Sequence, residues 1–160
     1  MVPPPPAERI ATLLQAYLAA DYRCAAGDAW HALRIGERTD TLEAATPGIR
    51  RFGLITAWDP QSLARPDALN RQADAALQRD LAAGGWPFTP AFATAAQGDD
   101  WREPGWLAQD IGMAELDDLA RRYGQLGVLG WASGAPVRLR MYAACPPACA
   151  GLAHIDWCGA

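Results

Sequence analysis

In the stretch AERIATLLQAYLAADY, Ile10, Leu13, Leu14, Tyr17 and Leu18 recur three and four residues apart, predicting a helix with one apolar stripe. WHALRIG alternates around Leu33 and Ile35 and predicts a strand. Asp40 and Glu43 have capping-box spacing and open a short helix that Pro47-Gly48 ends. In RRFGLITAW, one face carries Phe52, Leu54, Thr56 and Trp58, the other Gly53, Ile55 and Ala57. Neither face is polar overall, which predicts a central strand covered on both sides.

From Pro66 to Ala83 the pattern returns to helical spacing, with Leu69, Ala73, Ala76, Leu77 and Leu81 as the stripe and Gly84-Gly85 as the stop. FTPAFATAA, the polar turn QGDD and WLAQDI predict two strands joined by a hairpin, with Pro90 favouring a sheet edge. A third long helix is expected from Met113 to Tyr123, with Met113, Leu116, Ala120 and Tyr123 in register. Arg121 and Arg122 suit its C-terminal dipole and Gly124 its cap. LGVLGWA, the turn SGAP and VRLRMY close the series with another hairpin.

This order of elements predicts an α/β or α+β fold: one domain with a mixed sheet of five or six strands packed against three main helices. Residues 1–6 read as a flexible proline-rich leader, 7–142 as the globular domain, and 143–160 as a cysteine-containing C-terminal extension. At 160 residues, 51% apolar and 20% charged, the chain can bury a sizeable core. All 14 basic residues are arginine, and the net charge of −4 argues against a phosphate-tracking nucleic-acid binder. The N-terminus has neither a basic start nor a signal-peptide apolar core, and no window reaches the roughly 18 apolar residues of a membrane span. A bacterial, cytoplasmic protein is expected, its four cysteines reduced.

Cys145, Cys149, His154 and Cys158 have the spacing most suggestive of a metal, a possible Cys3His zinc set. Pro146-Pro147 stiffens the first gap and no basic or stacking pattern surrounds it, so incidental cysteines are the preferred reading and no metal is assigned. Cys24 and His31 are the one conceivable nucleophile and base pair, with nothing to single them out. With no lysine, Walker-type phosphate binding and Schiff-base chemistry are excluded.

What remains is a polar set at element ends. Thr56 lies in the central strand, with Trp58 and Asp59 just past it, and Asn70 flanks a buried helical stripe. Glu103 is bracketed by Trp101 and Trp106, and Gln125 follows the helix stop. Each also has a structural reading: Asp59 as a turn cap, Asn70 bonded to a loop, Glu103 paired with an arginine, Gln125 satisfying helix carbonyls.

AYLAADYRC, LRIG, LITAWDP, LNRQADAALQRDL, DDWREPGWL and LARRYGQLGVLGW together resemble the bacterial family domain of unknown function 3293 over roughly residues 16–140. The resemblance places the family pattern on Thr56, Ala57, Trp58, Asp59, Pro60, Asn70, Trp101, Glu103, Gly124 and Gln125. Asp59 stands where the family usually has asparagine, and Tyr123 replaces a phenylalanine. The family implies a residue set and no reaction, so no cofactor is named.

The expected function is binding of a small molecule or nucleotide-like ligand by Thr56, Trp58, Asp59, Asn70, Trp101, Glu103 and Gln125, with Asp59 and Glu103 the catalytic candidates if there is a reaction. The alternative is an interaction module that meets a protein partner through exposed Trp30, Trp86, Trp106 and Trp157.

Overall fold

The computed structural model describes residues 3–96 and 102–159. It is a mixed α/β chain, and its described residues form four α-helices and one eight-stranded sheet. The helices are α1 (Ala7–Ala19), α2 (Asp40–Ala45), α3 (Asp67–Ala83) and α4 (Met113–Arg122). The strands are β1 (Asp21–Ala26), β2 (Ala29–Leu33), β3 (Arg51–Ile55), β4 (Phe88–Thr94), β5 (Arg102–Gln109), β6 (Gly127–Ala132), β7 (Arg138–Met141) and β8 (Ile155–Trp157). Their order is β2-β1-β4-β5-β3-β6-β7-β8, antiparallel except for the parallel β7–β8 pair.

The sheet curls until Ile35, just beyond β2, bridges Val137, just before β7. Its inner face gathers Tyr22, Cys24, Leu33, Phe52, Leu54, Leu107, Leu129, Leu139 and Ile155, with Ile10 and Leu14 of α1 and Leu42 of α2 packed on them. Outside, α3 and α4 cover Ile55, Ala108 and Val128 with Leu77, Leu81, Leu116 and Leu119. The central strand β3 is therefore clad on both sides, as its two apolar faces require. Gly53 completes that packing: a Cβ there would lie 2.8 Å from a methyl of Leu116.

The eight strands exceed the expected five or six, and two of them, β1 and β8, were not expected at all. The apparent helix AERIATLLQAYLAADY ends at Ala19, because Asp21–Ala26 alternates exposed and buried residues and pairs with both β2 and β4. The second addition is β8, from the cysteine-bearing tail. It extends the sheet alongside β7, and Cys149 is buried in the inner core. Asp156 of β8 takes a bidentate pair from Arg138 and a further contact from Arg140, itself held by Asp117.

Three local expectations also change. Thr39, not Asp40, precedes α2; its carbonyl receives the Glu43 N–H, and the Glu43 carboxylate accepts from the Thr39 hydroxyl, from Ser133 and from the Gly134 N–H. On α3, Leu69 is 49% exposed while Asn70 is 1% exposed, so the inward stripe is Asn70, Leu77 and Leu81. Pro90 lies in β4, an interior strand. It is tolerated there because the β1 ladder stops at Cys24–Ala91, one position short of it.

Candidate ligand-binding cavity

Between α1 and the inner face of the sheet lies a cavity of about 480 Å³. Leu13 and Ala16 of α1, Leu54 of β3, Ala93 of β4, and Leu129 and Leu139 of β6 and β7 supply most of its wall. Strand alternation explains the rest. Side chains at 103, 105 and 107 of β5 share the inner face, as do those at 52, 54 and 56 along β3. Glu103 and Thr56 thus reach the same space, separated only by Gly105. A Cβ at Gly105 would sit 2.7 Å from the Ile55 carbonyl oxygen, so the two strands approach closely only because that position is glycine.

Among the described residues, Glu103 is the one carboxylate on this wall. Among the described residues it forms no ion pair. Burial, then the nearby negative charge of Asp59, push its carboxyl up from the usual range to about 8, with the Thr56 hydroxyl pulling the other way. It therefore stays largely neutral at pH 7. Its aromatic neighbours are Tyr17 and Tyr22 rather than Trp106. Trp106 is three residues along β5, hence on the opposite face, where its indole N–H bonds Asp74 at 2.9 Å. Trp101 lies outside the described residues.

The hydroxyls around Glu103 are tied into the fold. Thr56 donates to the Pro104 carbonyl at 2.8 Å and accepts from the Trp58 N–H at 3.0 Å. Tyr22 donates to the Tyr17 carbonyl at 2.6 Å, and the Tyr17 hydroxyl meets Ser62 Oγ at 2.5 Å. Burial raises the pKa of both tyrosines. Ser62 and Tyr17 carry no sequence signal for a site; only the fold brings α1 onto the loop after β3.

That loop is strained: Asp59, Gln61 and Ser62 all have positive φ, at 43°, 58° and 54°. It is held from three sides. Asn70 Oδ1 accepts the Asp59 N–H at 2.9 Å, and Asn70 Nδ2 donates to Asp59 Oδ1 at 2.8 Å. Arg65 donates to Asn70 Oδ1, to the Ala57 carbonyl and, through its backbone N–H, to Asp59 Oδ1. Gln125 donates to the Trp58 carbonyl at 3.1 Å, while Gln61 bonds the Gly124 carbonyl through both its backbone and its side chain. From α1, Arg9 reaches the carbonyls of Gln61 and Ser62.

The polar set thus divides. Thr56 and Glu103 line the cavity. Asp59, Asn70 and Gln125 form the brace behind the loop that carries Ser62 to it, and the Trp58 indole N–H is buried with no partner among the described residues.

The other clusters are elsewhere. The β1–β2 hairpin does set Cys24 opposite His31, yet Cys24 is fully buried and its thiol is pushed up to about 12, while His31 Nε2 lies 3.1 Å from the Ala26 carbonyl oxygen. Cys145 is exposed, Cys149 buried and Cys158 half-buried. No group of three or more His, Cys, Asp or Glu able to hold a metal occurs among the described residues. Of the four tryptophans in the interaction reading, Trp30 alone is exposed, packed against Phe92 of β4.

Fold and site together define a curled-sheet α/β domain with an internal, mainly apolar cavity. Residues 55–128 match the model of a family described as a protein of unknown function, DUF3293, which establishes the resemblance over that segment. The match is shorter than residues 16–140; it carries Thr56, Ser62, Ala93, Glu103 and Gly105 but not α1, which roofs the cavity. No curated protein and no solved structure matches the chain. No helix among the described residues is long and apolar enough to cross a membrane.

Proposed function

We propose that this chain binds a small molecule in the cavity beneath α1, with an apolar body against Leu13, Leu54, Leu129 and Leu139 and a polar group at Glu103 and Thr56. The observation that carries this is a half-buried carboxyl that forms no ion pair among the described residues and faces a mainly apolar space of about 480 Å³. That volume falls in the range of small-ligand sites, and a few convergent polar groups in an apolar wall are their usual chemistry. Trp58, Asp59, Asn70 and Gln125 enter this reading as supports of the loop that completes the wall. If a reaction occurs, Glu103 is its acid or base, since Asp59 is engaged with Asn70 and Arg65.

A bacterial, cytoplasmic setting belongs to the same reading, as does the absence of a nucleic-acid role. The interaction-module alternative is weaker, because Trp106 is committed to Asp74 and Phe88, and Trp86 and Trp157 are half-buried.

Thermal-shift screening of small amphiphilic molecules tests the proposal. A true ligand at 100 times its dissociation constant adds about 2.7 kcal/mol to the wild type. Ala93→Leu, which fills the cavity, should abolish that gain. A gain that survives Ala93→Leu would place binding elsewhere and sink the proposal.

A further inference from the structure

Apart from the carboxyl proton that Glu103 itself holds at neutral pH, the described polar wall of the cavity is short of protons and rich in lone pairs. Thr56 has one hydroxyl proton, directed to the Pro104 carbonyl with the Glu103 carboxyl as the competing acceptor, and Tyr22 spends its own on the Tyr17 carbonyl. Tyr17 and Ser62 share one proton between them in their mutual bond, leaving the pair a single spare hydrogen. No arginine or histidine lines the cavity. Arg9, whose charge acts on Tyr17, is turned to the carbonyls of Gln61 and Ser62. The residues outside the described set (Met1, Val2, Gln97, Gly98, Asp99, Asp100, Trp101 and Ala160) include no basic side chain. Unused acceptor capacity therefore surrounds Glu103: its carboxyl oxygens, the remaining lone pair of Thr56 and those of the Tyr17–Ser62 pair.

We propose that the ligand is a primary amine with an apolar body, bound as its ammonium ion against the Glu103 carboxylate, with Thr56 and the Tyr17–Ser62 pair as the further acceptors. An ammonium carries three donors and no acceptor, complementary to this wall, and its charge supplies the partner that a buried carboxylate otherwise lacks. A carboxylate or phosphate ligand would instead face Glu103 and Asp59 with no cation to meet it. This inference rests on the cavity reading above.

Binding is coupled to one proton. Glu103 is mostly protonated at neutral pH, so an ammonium entering the site displaces its proton to solvent, and the two charges then pair. With the carboxyl near 8, about 0.9 proton is released at pH 7. The charged and titratable groups that face Glu103 are Asp59 from the loop after β3, Tyr17 of α1 and Tyr22 of β1. Burial keeps both tyrosines protonated from pH 6 to 9, so Glu103 dominates the pH response.

The test compares 2-phenylethylamine, 2-phenylethanol and 3-phenylpropanoate by calorimetry on the full chain, at pH 6 and pH 9 and in buffers of different ionisation enthalpy. The amine should bind tightest, gain about fifty- to hundredfold in affinity from pH 6 to 9, and release a proton at pH 7. Glu103→Gln should cost the amine at least tenfold and abolish the rise of its affinity with pH. If the alcohol equals the amine, or the affinity for the amine is flat with pH, the amine assignment is overturned while the cavity reading stands, provided Ala93→Leu blocks the alcohol. If none of the three binds the wild type or stabilises it, both fail.

Discussion

Glu103 is a charge the fold holds neutral, and that has a measurable cost. A carboxyl raised from an ordinary 4.5 to about 8 binds its proton more tightly in the folded chain than in the unfolded one. Stability from this group is thus fully present below pH 4.5 and is lost as pH rises toward 8, levelling off beyond. Glu103→Gln keeps the shape and removes the titration. Guanidinium unfolding should find it more stable than wild type at pH 9, by on the order of 3 kcal/mol, with little difference at pH 4.5. Equal curves at both pH values would mean that Glu103 is solvated. Asp59 shifts the same equilibrium from a distance: its negative charge helps to raise Glu103. Asp59→Asn should preserve acceptance from Asn70 and the Arg65 N–H, suit the left-handed backbone at φ 43°, and lower the pH at which Glu103 ionises. The readout is the midpoint of the stability-versus-pH curve, which must move down, not up.

Among the elements, those with strong period-3.6 or period-2 patterns were legible in the sequence, and those made by partners were not. Helix α3 keeps its expected extent and its Gly84 stop, although Leu69 turns outward and Asn70 inward, and β3 shows its two covered faces in the alternation of Phe52 and Leu54 with Gly53 and Ile55. By contrast, β1 reads as a continuation of α1 because AADY has no breaker, and only pairing with β2 and β4 makes it a strand. The tail strand β8 is three residues long and exists through its parallel ladder with β7. Of the site, Thr56 could be picked out as a polar residue in an apolar strand and Glu103 by its flanking tryptophans, whereas Tyr17 and Ser62 look like an ordinary helix aromatic and a loop serine. Asn70 was visible as an oddity, but its role depends on the loop that folds back to it. Asn70→Ala strands the Asp59 N–H and frees Arg65 Nε, so it should cost about 2–3 kcal/mol in chemical denaturation. Ile155→Ala tests β8 in the same way, with an expected loss of about 2–4 kcal/mol. A loss under 0.5 kcal/mol there would mean that β8 does not contribute to the core.

Across the whole molecule, the two faces of the curled sheet are unequal. The outer helices α3 and α4 sit on a continuous apolar layer, Leu77 and Leu81 meeting Ile55, Ala108, Leu116 and Leu119. On the inner face, α1 is anchored at its first turns by Ile10 and Leu14, but Leu13, Ala16 and Tyr17 overhang the cavity. Packing energy comes from close contact, and side chains bordering a void lose part of it. Arg9 holds the first turn of α1 to the loop carbonyls. The C-terminal half, where Leu14 is the fully buried side chain and Leu13, Tyr17 and Leu18 are only partly buried, is tied further by Tyr17 to Ser62 and by Tyr22 to the Tyr17 carbonyl. Elements with few buried apolar contacts open locally at lower free energy than the global transition. Amide exchange should therefore be faster for Leu13 to Ala19 than for Leu77 to Ala83, and Tyr17→Phe should speed it further without altering α3. Occupying the cavity gives the overhanging residues the contacts they lack, so a ligand should slow exchange in α1 first and most. Uniform protection of α1 and α3 in the free protein would show that the roof is already as firmly seated as the outer helices, and a ligand would then have to enter by another path.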